Sequence, residues 1–63
     1  MSANNQLLIH KRYKKQKYWI EDVDVESQKG FKVGETWTLE DAIKFANAYM
    51  EVEEVEYGLR INI

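Results

Sequence analysis

The 63-residue chain has no cysteine, one histidine and three glycines, and each shortage excludes a class of function. Without cysteine there is no disulfide to staple a small fold and no Cys/His set for a structural zinc, so apolar packing, aided by any self-association, must carry stability. His10, the sole histidine, has no cysteine to pair with and no Ser/His/Asp set with supporting motif residues around it. Gly30, Gly34 and Gly58 lie too far apart for a phosphate-cradling loop, and both the GxxxxGK and GxGxxG spacings are absent. No apolar run approaches the roughly 20 residues needed to cross a bilayer, and the first residues lack the apolar stretch of a signal peptide. The expectation is a soluble, cytoplasmic, non-enzymatic protein with no cofactor, no metal and no membrane partner.

What is present is charge, unevenly placed. Residues 1–20 carry Lys11, Arg12, Lys14, Lys15 and Lys17 with no acid, whereas residues 21–63 carry all eleven acids against Lys29, Lys32, Lys44 and Arg60. The two halves are formally +5 and −7, giving the net −2 of the chain. Such asymmetry points to binding rather than to chemistry. Two Trp, four Tyr and two Phe supply enough large apolar area to argue against disorder. A chain of this length buries only about 60% of its unfolded surface and builds one core. Residues 1–5, small and polar, are expected to form a flexible N-terminus, and residues 6–63 a single domain.

Period-2 and period-3.6 patterns divide that domain. Leu7, Ile9 and Tyr13 alternate with Leu8, His10 and Arg12 as one strand, and Lys14-Lys15-Gln16-Lys17 reads as a turn placing cations at a hairpin tip. A second strand runs from Tyr18 to Glu26, with Trp19, Val23 and Val25 on one face and Asp22, Asp24 and Glu26 on the other. Ile20 and Glu21 break that register, as a bulge would. Ser27-Gln28-Lys29-Gly30 reads as a turn with Gly30 at positive φ, followed by a short strand, Phe31-Lys32-Val33. Thr38 and Asp41 form a shortened capping box, and Leu39, Ala42, Ile43, Ala46, Tyr49 and Met50 fall on one helical face. After the acidic link Glu51-Val52-Glu53-Glu54, alternation resumes with Tyr57, Leu59, Ile61 and Ile63 on one side of a last strand. The predicted fold is α+β, order βββαβ, a small and mostly antiparallel sheet with one amphipathic helix across one face.

Two charged clusters are the candidate sites. The triplet Asp22-x-Asp24-x-Glu26 starts like a calcium loop, but the sixth and twelfth positions hold Ser27 and Val33 instead of Gly and Glu. Read as a strand, its carboxylates stand roughly 7 Å apart along one exposed face, available with Glu53 and Glu54 to a cationic partner. Acids at a helix C-terminus also oppose the helix dipole, a local cost that hints at a use elsewhere. The basic group, Lys11, Arg12, Lys14, Lys15, Lys17 and Arg60, is the alternative: phosphate contact, with Tyr13, Tyr18 and Trp19 available to stack on bases. Five hairpin cations on duplex phosphates would give a log–log salt slope of about −4 to −5. Trp19, Trp37, Phe31 and Phe45 read more simply as core, and the last strand offers an edge for a partner strand or a homodimer.

Lys17-Tyr18-Trp19, the acidic strand, Phe31-Lys32-Val33, Thr38-Leu39-Glu40-Asp41-Ala42-Ile43 and the strand from Glu56 to Ile61 together resemble the small phage inhibitor of host bacterial RNA polymerase. That resemblance implies an acidic surface, here Asp22, Asp24 and Glu26, docking into the polymerase's DNA channel with Arg60 as an arginine of the last strand. Leu8-Ile9-His10-Lys11, Tyr18 to Val25 and Thr38 to Ala42 are also similar to the partial RNase-H-like fold of HicB-type antitoxins, which implies one cognate toxin as partner. The leading expectation is a phage-type inhibitor whose acidic surface mimics nucleic acid on a host protein that handles it. The nucleic-acid-binding module and the antitoxin are the alternatives.

Overall fold

A computed structural model of the protein describes residues 4–12, 14 and 16–62. Strands β1 (Asn5–Arg12), β2 (Lys17–Asp24) and β3 (Lys29–Thr36) form an antiparallel meander, helix α1 (Leu39–Val52) crosses back, and β4 (Leu59–Asn62) completes the sheet. The spatial order is β3-β2-β1-β4, with β4 parallel to β1. Adjacent parallel strands need a long crossover, and α1 provides it by carrying the chain from one sheet edge to the other. The predicted α+β order is the observed one.

The helix begins where its cap dictates. Thr38 is extended, and its hydroxyl accepts a bond of 3.1 Å from the Asp41 backbone N–H. That satisfies one of the orphan donors of the first turn, while Glu40 and Asp41 meet the positive end of the dipole. Ala42 and Ala46 are fully buried against Leu7, Ile9 and Ile20, and among the described residues these five form the fully buried apolar core. Tyr18, Val33, Leu39, Ile43, Phe45, Tyr49, Met50, Val55 and Leu59 pack around it. The small alanines bring the helix close to the sheet, and the Phe45 ring lies directly over the bare backbone of Gly34.

Several local expectations are corrected. Of residues 1–5, expected to form a flexible N-terminus, residues 1–3 lie outside the described residues, whereas Asn5 opens β1 and the Asn4 carbonyl accepts a 3.0 Å bond from the Val25 N–H. Lys17 begins β2 rather than ending the turn. Residues 25–28 form the second turn, so the strand stops at Asp24. The positive φ belongs to Gln28, not to Gly30, which sits within β3. Gly30 is required there for another reason: a Cβ would stand 2.8 Å from a Val23 methyl and 2.9 Å from a Glu21 carboxylate oxygen. β3 has eight residues instead of three, and β4 only four. The register does shift opposite Ile20 and Glu21; the extra residue is Val33 of β3.

The faces of β2 are the reverse of those expected. Ile20 and Asp22 point toward the helix, and Trp19 and Val23 away from it, because Ile20 and Asp22 lie opposite the buried Ile9 and Leu7. Of the four aromatics read as core, only Phe45 packs against it; Phe31 is 61% exposed and Trp37 68%. Tyr13 and Ile63, expected to face inward, lie outside the described residues.

Candidate functional site

Cross-strand pairing fixes which side chains share the face away from α1. Arg12 stands opposite Lys17, His10 opposite Trp19, Leu8 opposite Glu21 and Gln6 opposite Val23. Leu8 and His10 also stand opposite Arg60 and Asn62 of β4, and Glu21 and Trp19 opposite Lys32 and Glu35 of β3. Among the described residues no element covers this face. Its charges among the described residues are four cations, Arg12, Lys17, Lys32 and Arg60, against two acids, Glu21 and Glu35. The other nine of the eleven acids lie elsewhere.

The centre of the face is an aromatic stack. The His10 and Trp19 rings are 4.3 Å apart and 21° from parallel, and the Arg12 guanidinium lies 5.5 Å from the Trp19 centroid. His10 Nε2 donates to Glu21 Oε1 at 3.0 Å, which leaves Nδ1 to accept from the Asn62 amide at 3.4 Å. Toward the hairpin end, the Lys17 ammonium stands 4.2 Å from the Trp37 centroid, and Lys11 lies 5.7 Å from that of Tyr18 on the helix side. Lys14 is exposed in the β1–β2 connection, and Lys15 lies outside the described residues.

The bulge at Val33 creates one feature of this face. Residues three apart on a regular strand point to opposite sides, but the extra residue brings Lys32 and Glu35 to the same side, where they pair at 2.8 Å. Lys17 reaches the other Glu35 oxygen at 4.0 Å. The Lys32 hydrogen bond, reinforced by the charges of Lys32, Lys17 and Arg12, holds the Glu35 carboxyl below its ordinary range.

The acidic candidates gather at the opposite end of the sheet, where β1 starts and β2 stops. Asn4 donates to Glu26 at 2.9 Å, and the Glu56 and Tyr57 N–H groups donate to Asn5. Glu53 caps the helix beside them, and no basic residue stands in the last helical turn. Asp22 is not part of an exposed acidic face, however. It is 8% exposed, with its two oxygens accepting from Asn5 Nδ2 at 3.0 Å and from the Tyr49 hydroxyl at 2.7 Å. Asp24 is exposed, but one of its oxygens accepts from the Glu26 and Ser27 N–H groups of its own turn. The accessible acids at this end are Asp24, Glu26, Glu53, Glu54 and Glu56.

Asp22 is thus a clasp tying β1 and β2 to the helix. Desolvation, followed by the bond to Asp22 and the charges of Asp22 and Glu53, raises the Tyr49 hydroxyl from 10.0 to about 12. A phenol whose folded-state value is raised contributes stability that is complete below pH 10 and is lost as pH climbs toward 12. Tyr49→Phe is expected to cost about 1.5 kcal/mol at neutral pH, since the lost bond is to a charged group. It should also remove the late step near pH 12 from an ultraviolet pH titration and flatten the alkaline loss of thermal stability. A titration with the same late step in the variant would assign that step to another tyrosine.

Sequence reasoning missed Trp37 as a surface residue and Lys32 as a member of the candidate site. Trp37 was assigned to the core because large aromatics are usually buried, although its place next to the helix cap was visible. Lys32 gained its role only through the bulge. Among the described residues no group of three or more His, Asp or Glu side chains is arranged to hold a metal ion, and no helix is long and apolar enough to cross a membrane. No protein-family model, curated protein or solved structure matches the chain.

Proposed function

We propose that the protein is a non-enzymatic binding module that engages nucleic acid through its cationic hairpin end and the uncovered sheet face. The observation that carries this reading is charge segregation on an acidic chain: Arg12, Lys17, Lys32 and Arg60 share one open face, with Lys14 exposed in the adjoining β1–β2 connection, while nine of eleven acids are kept off it. An acidic protein that shields a polyanion-binding surface from its own carboxylates gains attraction at that surface despite its net charge. Phosphate contacts of this kind position a nucleic acid without reading its sequence.

Binding of a labelled mixed-sequence DNA at low salt, followed by anisotropy, tests it. Affinity should fall with salt at a log–log slope of about −3 to −5. Joint replacement of Arg12, Lys14 and Arg60 by Glu, all exposed positions, should weaken binding by about tenfold or more without lowering the melting temperature. Absence of binding at low salt would overturn the reading.

A second reading is favoured by the unneutralised helix C-terminus. Glu53 and Glu54 sit at the negative end of the dipole with no cation in the last turn, an arrangement that opposes local stability and suits docking on a cationic protein surface. This is the direction in which the resemblance to the phage polymerase inhibitor points, with Asp24, Glu26, Glu53 and Glu54 as the contact set. Loss of a nuclease-resistant protein partner on charge reversal of those four residues would favour it over the first reading.

A further inference from the structure

Trp37 is the most conspicuous unexplained side chain. It precedes the Thr38 cap, stands beside the end of β3, and is 68% exposed. Lys17 Nζ, 4.2 Å from its centroid, occupies one side of the ring at most, so the exposure requires an open aromatic surface. Lys17 is also the cross-strand partner of Arg12, whose guanidinium lies over Trp19, which in turn stacks on His10. Trp37, Lys17, Arg12, Trp19 and His10 therefore form one edge-to-centre path in which two cations lie between aromatic rings. We infer that this path is a site for single-stranded nucleic acid, a base stacking on Trp37 and the backbone tracking Lys14, Lys17 and Arg12. The inference rests on the nucleic-acid reading above.

Paired bases in a duplex have no free face for an exposed ring, whereas unpaired bases do, and stacking on aromatics beside a positive groove is the common device for holding single strands. A second copy is a poor occupant, because a two-fold contact through this patch would bring two sets of Arg12, Lys14 and Lys17 into one interface, where like charges repel. Glu35 pairs with both Lys17 and Lys32, at 4.0 and 2.8 Å. A phosphate entering the path competes with that carboxylate.

The probe is a short oligothymidylate, with an annealed duplex of equal length as comparison, titrated at low salt. Both tryptophans of the chain lie on the path, so their fluorescence reports occupancy directly. Quenching by the single strand, weaker binding of the duplex, and a five- to hundredfold loss in Trp37→Ala, of about the size expected for one stacked base, are the expected results. Trp37→Phe should recover part of the loss, and Glu35→Gln should tighten binding severalfold by freeing Lys17 and Lys32. Equal affinity for duplex and single strand, unchanged in Trp37→Ala, would overturn the single-strand inference and leave the phosphate reading standing. No binding of either would end both. Concentration-dependent self-association abolished by Trp37→Ala, with no oligonucleotide bound, would assign the surface to a second copy instead.

Discussion

Gly34→Ala is expected to unfold a large fraction of the protein at room temperature. A Cβ at this position would stand 2.5 Å from Phe45 Cζ and 2.7 and 2.9 Å from the two Cε atoms, so one face of a rigid ring, not the tip of a flexible chain, blocks it. Relief requires the helix to lift or the ring to leave its place, and overpacking of this kind costs about 3 kcal/mol. A single core in a domain this small rarely supplies more than about 3–5 kcal/mol in total. Chemical denaturation of Gly34→Ala, Phe45→Ala and the double variant would measure the contact. The double variant should cost less than the sum of the singles by about 1–3 kcal/mol, because removing the ring makes room for the methyl. Additive costs would mean that the ring does not lie on the glycine.

Ile20→Ala should be comparably damaging for the opposite reason. Ile20 is fully buried, stands opposite Ile9 in the ladder, and is one of five fully buried apolar residues among those described. Its truncation removes transfer energy and leaves a cavity under a helix held close by alanines, at a cost of about 3–4 kcal/mol. Val52→Ala is the control, since Val52 is 82% exposed at the helix end and surface changes stay within about 0.5 kcal/mol. Similar denaturation midpoints for the two variants would contradict the placement of the core beneath α1.

The helix was legible because its signals agree: the Thr38 cap, acids in the first turn, and apolar spacing that lands Ala42 and Ala46 on the sheet. The element order was legible for the same reason. The faces of β2 were not. Trp19, Val23 and Val25 look like an inward set, and only pairing with Leu7 and Ile9 shows that Ile20 and Asp22 are the inward residues. Period-2 patterning says that two faces exist, and it takes the buried neighbours to say which is inside. Asp22 misled for a related reason, since a carboxylate is read as exposed until Asn5 and Tyr49, distant in sequence, are found satisfying it. β3 was underestimated because Gly30 and Gly34 look like breakers, whereas each marks a close approach. Of the candidate site, the cationic hairpin and Arg60 could be read from the chain directly, but the placement of Arg60 on the same face depends on a parallel strand, and the continuation through Trp37 and Lys32 on the end of β3 and its bulge.

That parallel strand sets how the molecule comes apart. β4 is held in the sheet by a four-residue ladder to β1 alone, with the outer edge of β4 unpaired in the sheet and Ile61 half exposed. The meander and the helix are joined without it through the contacts of α1 with β1, β2 and β3. Elements with short ladders and little buried area open first in native-state fluctuations. Release of the last strand is therefore the excursion expected first, a motion that would lift Leu59 from the core and break the Asn62–His10 bond, baring the backbone edge of β1 while β1 and β2 still hold His10 against Trp19.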